Sequence, residues 1–143
     1  MRVAEILDRK GNNTVTIKQT DPVGHAVEVL REHGFGALVI SSDGLEIEGI
    51  ISERDIVRAL GVRDDLLDMP VSEIMTRKVY TCSPGDRLDG LMGMMTERRI
   101  RHLPVESNGV LSGLISIGDV VKYRVIELED ETQAMQDYIQ HGR

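Results

Sequence analysis

The residue types best suited to chemistry lie in two short segments of one pattern. Gly49-Ile50-Ile51-Ser52-Glu53-Arg54-Asp55 and Gly113-Leu114-Ile115-Ser116-Ile117-Gly118-Asp119 each run Gly, two apolar residues, Ser, two variable residues, Asp. Such a run reads as a strand ending at the Ser, with the Asp in the first turn of the next helix. The Ser hydroxyl and the free N–H groups of a helix start can hold a phosphate or a hydroxyl. An ionised Asp only accepts hydrogen bonds, which suits a pair of donors such as a ribose diol. The plainer reading, that both residues merely start a helix, fits one copy better than two copies in matching places. A second concentration of chemistry is Glu97-Arg98-Arg99-Ile100-Arg101-His102-Leu103-Pro104-Val105. Arg presents a planar fork matched to phosphate oxygens. Arg98 and Arg99 are also explained as cations at a helix C-terminus. Alternation along the following strand turns one of Arg101 and His102 inward, so that pair is the phosphate candidate.

The elements that must position these residues are themselves repeated. Val3-Ala4-Glu5-Ile6-Leu7-Asp8-Arg9-Lys10 returns as Val71-Ser72-Glu73-Ile74-Met75-Thr76-Arg77-Lys78, and Thr16, Asp21, Glu32 and Leu38 match Thr81, Asp86, Glu97 and Leu103. A unit of roughly 65 residues exceeds the solenoid period of about 20–50 and reads as two subdomains packed as a pair. Each copy opens with a helical lead-in, at 3–7 and again up to Met75, the first broken by Gly11-Asn12-Asn13. Extended pieces follow at 15–17 and 79–82. Asp21-Pro22 and Ser83-Pro84-Gly85-Asp86 read as helix starts, with Asp21 as N-cap. Gly34 ends the first of these helices, and the second runs over 88–99. Hairpins are expected from 37–40 with 46–52, and from 103–106 with 110–116 around Ser107-Asn108-Gly109. Helices then run over 53–60 and from Gly118 toward Tyr138. The expected fold is α/β (α+β), two β-α-β-β-α repeats at 1–62 and 71–125, joined by a polar linker at 63–70 and followed by a helical extension at 126–143. Neither unit can cover both faces of its own sheet, so the two must pack together. On the last helix Val125, Leu128, Met135, Tyr138 and Ile139 leave an apolar face, to be covered by its own chain or by a second copy.

Composition narrows the function further. The chain has 143 residues, 41% hydrophobic and 29% charged, enough for an ordinary globular core. Aromatics are 3% with no Trp, and the net charge is −7, which disfavours nucleic acid and anionic membranes. Cys82 is the single cysteine, so no internal disulfide forms; it is expected to be a buried, inert thiol. No apolar signal region opens the sequence and no stretch is long enough for a bilayer, so a cytoplasmic protein is expected. The four histidines at 25, 33, 102 and 141 lack zinc-like spacing. Phosphate-loop and nucleophile-elbow patterns are missing, so catalysis is not expected.

The repeat, the two Gly-x-x-Ser-x-x-Asp segments and Ile100-Arg101-His102-Leu103-Pro104-Val105 together resemble a pair of cystathionine β-synthase (CBS) domains, a Bateman module, over almost the whole chain. The resemblance implies a non-catalytic regulatory module that binds an adenine nucleotide between its repeats as an energy or redox sensor. AMP is the first choice, with ADP, ATP or NAD(H) behind it. It implies Asp55 and Asp119 on ribose hydroxyls, Ser52 and Ser116 on the ribose or phosphate side, and Arg101, His102 and Arg54 on phosphate. The backbones at Thr16-Ile17 and Thr81-Cys82 would read the adenine. A homodimer bringing four repeats together is also implied. The first copy departs from the pattern: Gly36-Ala37-Leu38-Val39 stands where the second has Arg101-His102-Leu103-Pro104. Unequal sites follow, with the charged end of the ligand near Arg101 and His102. The alternative function is a ligand-free dimeric scaffold docking on a partner protein. The family's fusion to inosine-monophosphate dehydrogenase has no counterpart here, because the chain is too short for a barrel of about 250 residues.

Overall fold

Apolar residues at helical spacing bury one face of each main helix. They are Val3, Ile6 and Leu7 on α1 (Val3–Lys10), Val23, Ala26, Val29 and Leu30 on α2 (Val23–His33), and Leu88, Leu91 and Met95 on α4 (Leu88–Arg98). The computed structural model describes residues 1–12 and 14–142; Asn13, part of the predicted Gly11-Asn12-Asn13 turn, lies outside the described residues. Strands β1 (Thr16–Ile17), β2 (Ala37–Ile40) and β3 (Gly49–Ser52) form one sheet in that order, β1 parallel and β3 antiparallel to β2. All of β2 is buried, as a central strand covered on both faces must be. In the second half β4 (His102–Ser107) pairs antiparallel with β5 (Val110–Ser116). Asn108 and Gly109 join them with φ of 54° and 78°, the left-handed pair that a two-residue hairpin turn needs. Helices α3 (Glu53–Leu60) and α5 (Ile117–His141) leave β3 and β5. The mixed α/β pair of repeats is therefore present.

Four local expectations change. The first copy's returning strand begins at Gly49 rather than at 46. Of the second extended piece only Cys82 joins its sheet, parallel to Val105. Asp21 is not a helix cap: Pro22 takes that place, and the Asp21 carboxylate instead accepts the Lys18 N–H at 2.8 Å, as Asp86 accepts the Ser83 N–H at 2.8 Å. The polar linker is also built into the fold. It holds a 3-10 turn at Leu66–Asp68, its Leu66 is 1% exposed, and Gly24 is bare because a Cβ there would stand 3.1 Å from the Leu67 carbonyl oxygen.

The largest departure concerns which residues make up each half. The lead-in α1 does not pack on its own copy. Val3, Ile6 and Leu7 share a core with Leu88, Leu91, Leu103, Ile115 and Val120. Reciprocally, Val71 and Met75, from the second lead-in, share a core with Val23, Ala26, Leu38 and Ile51. The backbone follows the same exchange. Val3 N–H donates to Asp86 O at 2.9 Å and Val71 N–H to Asp21 O at 2.8 Å. Each lead-in thus finds partners for its first N–H groups across the molecule. The motif glycines mark where the exchanged segments cross. A Cβ on Gly49 would lie 2.9 Å from Met75 Sδ and 3.1 Å from Thr76 O; one on Gly113 would lie 2.7 Å from Leu7 Cδ2.

Candidate functional site

The second lead-in crosses β3 at Ile50 and Thr76, which exchange backbone hydrogen bonds at 3.0 and 2.8 Å. From that seam residues 78–80 run along one wall of a cavity of about 680 Å³. Residues 99–102, leading into β4, and the first turns of α3 also line it. Eight lining residues come from the first copy, from Gly36 to Arg58, and eight from the second, from Thr76 to His102.

Both motif segments build the same cap. Ser52 Oγ accepts the Asp55 N–H at 3.3 Å and donates to Asp55 Oδ2 at 3.1 Å, while the Ser52 N–H reaches the same oxygen at 2.9 Å. Ser116 and Asp119 repeat these bonds at 3.1, 3.0 and 2.9 Å. The serine proton is therefore spent on its own helix. The first helical N–H groups are spent as well, Glu53 on Gly36 O and Ile117 on Arg101 O, at 3.0 and 2.8 Å. The helix starts have little left for a phosphate, contrary to expectation, which leaves the cationic side chains nearby as the groups suited to an anion.

Those side chains come from both copies. Arg54, Arg58, Lys78, Arg99, Arg101 and His102 line the cavity, against the two carboxylates Glu53 and Asp55. This is a cationic pocket in a chain of charge −7. Asp55 keeps one oxygen lightly engaged: among the described residues Oδ1 meets only the Thr76 hydroxyl, at 3.5 Å. Burial pulls His102 below its ordinary value, although Glu53 and Asp119 pull it up. A neutral imidazole at pH 7 can then take a proton when an anion arrives.

Asp119 sits in a different setting. Lys10 Nζ donates to its Oδ2 at 2.7 Å and to Leu114 O at 2.9 Å. Burial raises the Asp119 carboxyl, but Lys10 and the Ser116 N–H outweigh it and hold the group below the usual carboxylate range. The positions matching Arg54, Arg101 and His102 are Gly118, Gly36 and Ala37. Lys78, the counterpart of Lys10, instead lies 5.7 Å over the Tyr80 ring on the cavity wall.

Of the residues singled out from sequence, Ser52, Arg54, Asp55, Arg101 and His102 line this cavity. Ser116 and Asp119 stand at the other motif. Thr16, Ile17 and Thr81 lie off the cavity, and two of the backbones expected to read adenine are committed to sheets: Ser41 N–H bonds Ile17 O, and Cys82 bonds Pro104 and Glu106. The free stretch is 78–80, whose backbone makes no hydrogen bond among the described residues. Sequence reading missed Thr76, Lys78, Tyr80, Arg58 and Arg99. The repeat carried a signal for two of them. Lys78 matches Lys10, and Arg99 matches Gly34. Both Gly34 and Arg99 end their helices in the left-handed region, at φ 67° and 55°. A non-glycine residue held there is strained, and such strain gathers at functional sites. Cys82 is 3% exposed and its thiol is pushed up to about 12, mainly by burial, which leaves it inert. No helix among the described residues is long and apolar enough to cross a membrane.

The model of the CBS domain matches residues 3–62 and 71–126. The mitochondrial CBS domain-containing protein CBSX3 of Arabidopsis thaliana is 34% identical over 98% of this chain and 72% of its own. The crystal structure of a CBS-domain containing protein from Agrobacterium tumefaciens superposes with a TM-score of 0.83 at 44% identity, covering 87% of this chain and 99% of that one. A CBS-domain pair solved with 5′-methylthioadenosine and S-adenosyl-L-methionine has a TM-score of 0.78 over 89% of this chain and 98% of its own; at 24% identity it shows the shared fold alone.

Proposed function

The chain belongs to the CBS-domain family as a tandem pair, a regulatory module, and from that premise we propose that it senses an adenine nucleotide without transforming it. One observation carries the reading: Asp55, with an oxygen free for donors, shares one cavity with Arg54, Lys78, Arg99 and Arg101. A ribose diol supplies the donors that Asp55 lacks. Phosphate oxygens then fall toward the guanidinium groups, whose charge-assisted bonds contribute about 1.5–3 kcal/mol each. The uncommitted backbone at 78–80 and the apolar side chains of Ile50, Val57, Val79 and Ile100 offer a slot for the base. AMP is the first candidate, and ADP, ATP and NAD(H) share the same groups. A CBS-domain pair of the same fold was solved with two adenosine compounds, neither of which carries a phosphate.

In this reading the ligand bridges both copies, with Asp55 from one and Arg101 from the other. It stiffens the seam at Ile50 and Thr76 instead of reacting. Calorimetric titration and thermal shift with AMP, ADP, ATP, NADH and S-adenosyl-L-methionine test it. A ligand at 100 times its dissociation constant stabilises the fold by about 2.7 kcal/mol. Silence with every adenosine compound at millimolar concentration sinks the proposal, as does turnover of any of them.

A further inference from the structure

The face of α5 turned away from the body follows a strict rhythm: Val121, Val125, Leu128, Thr132, Met135 and Ile139, spaced alternately by four and three. Its apolar members are open to solvent, from 45% at Leu128 to 74% at Ile139. A groove of about 410 Å³ runs along this face past Val125, Leu128 and Thr132. Alternate spacing of this kind is the seam of a coiled coil, narrower than the stripe that packs a helix onto a core. Its residue types choose among coiled coils. Val125, Thr132 and Ile139 fall at a, all β-branched; Val121, Leu128 and Met135 fall at d. β-Branched residues at a with γ-branched Leu at d favour two parallel strands, the arrangement of Val125, Leu128, Thr132 and Ile139, while Val121 is a β-branched residue at the first d position.

Charge points the same way. Arg124 falls at g and Glu129 at the following e. In a parallel pair these face each other across the seam, although Arg124 also pairs with Glu127 of its own helix. In an antiparallel pair centred on the seam, Glu129 and Glu131 approach their own copies, and like charges repel.

We propose that α5 zips in parallel against α5 of a second copy of this chain, from Val121 through Ile139. The inference is independent of the ligand reading, since no residue of this seam lines the nucleotide cavity. Light scattering of the full chain is expected to give twice the monomer mass. Leu128→Glu with Met135→Glu should return it to the monomer, with an unchanged circular dichroism spectrum because both residues are exposed. Orientation is read by mild oxidation of Ile139→Cys in a Cys82→Ser background. A parallel pair sets the two introduced thiols side by side and gives a covalent dimer. A monomeric wild-type chain overturns the proposal. So does an Ile139→Cys protein that stays uncrosslinked while crosslinking readily to a Val121→Cys copy, the antiparallel outcome.

Discussion

Asp55 and Asp119 hold the same place in their motifs and make the same three bonds to a capping serine, yet their surroundings differ in kind. Asp55 opens onto a cavity with cations from both copies. Asp119 is closed off by Lys10, which satisfies the carboxylate from within the chain. The lysine does for Asp119 what a ligand's donors would do for Asp55. The second motif has also lost its cations, since Gly118, Gly36 and Ala37 replace Arg54, Arg101 and His102. Duplication made two chemically equal carboxylates; one became a structural ion pair and the other stayed available.

The comparison can be broken most forcefully at the carboxylates. Asp55→Asn should weaken nucleotide binding about a hundredfold by removing two charge-assisted bonds, while Asp119→Asn leaves affinity unchanged in calorimetry. Equal losses would mean that both motifs bind. Next come the crossing points. Gly49→Ala forces a Cβ to 3.1 Å from the Thr76 carbonyl, whose neighbouring N–H is tied to Ile50, and should cost about 1–3 kcal/mol in urea unfolding. Gly113→Ala meets only the movable end of Leu7 and should cost about 1 kcal/mol or less. A smaller effect is expected at the helix ends. Arg99→Gly relieves a left-handed arginine and should stabilise the free protein by about 1 kcal/mol while weakening nucleotide binding several-fold. A variant that is more stable and binds equally well would separate the strain from function.

The smallest effect sits at Lys10. Its partner Asp119 has a folded value below the unfolded one, about 3.9. That stabilisation is present above the unfolded value and disappears as pH falls through the folded one. Lys10→Met should therefore cost about 0.5–1 kcal/mol at pH 7, with the difference from wild type closing in acid. Its nucleotide stoichiometry should stay at one per chain. A second equivalent would show that Lys10, rather than the missing cations, closes the second half.

Much was legible without coordinates. The repeat, the hairpin at Asn108-Gly109, the helix stop at Gly34 and the caps at Ser52 and Ser116 are local matters, decided by φ preference and hydrogen bonds within a few residues. A serine bonded to its own helix has no proton for a ligand, so at Ser52 and Ser116 the cap is the role the hydroxyl fills. Asp21 misled for a related reason: its carboxylate had a closer N–H, at Lys18, than the helix it precedes. Lys78 and Arg99 escaped because an isolated cation carries no sign of which cavity it faces.

By itself, then, the sequence determined that there are two copies, that both carry a capped Asp, and that only the second carries Arg101 and His102. Period and propensity act over a turn or a strand, so they read directly from the chain. Tertiary structure alone decided which Asp meets which cations. The lead-ins trade halves, and the bonds that hold them, Val3 to Asp86 and Val71 to Asp21, join residues far apart in sequence. That exchange carries residues 76–80 of the second copy across β3 to Asp55, and it carries Lys10 to Asp119. Long-range packing has no local period, so its outcome appears only when the two cores are assembled.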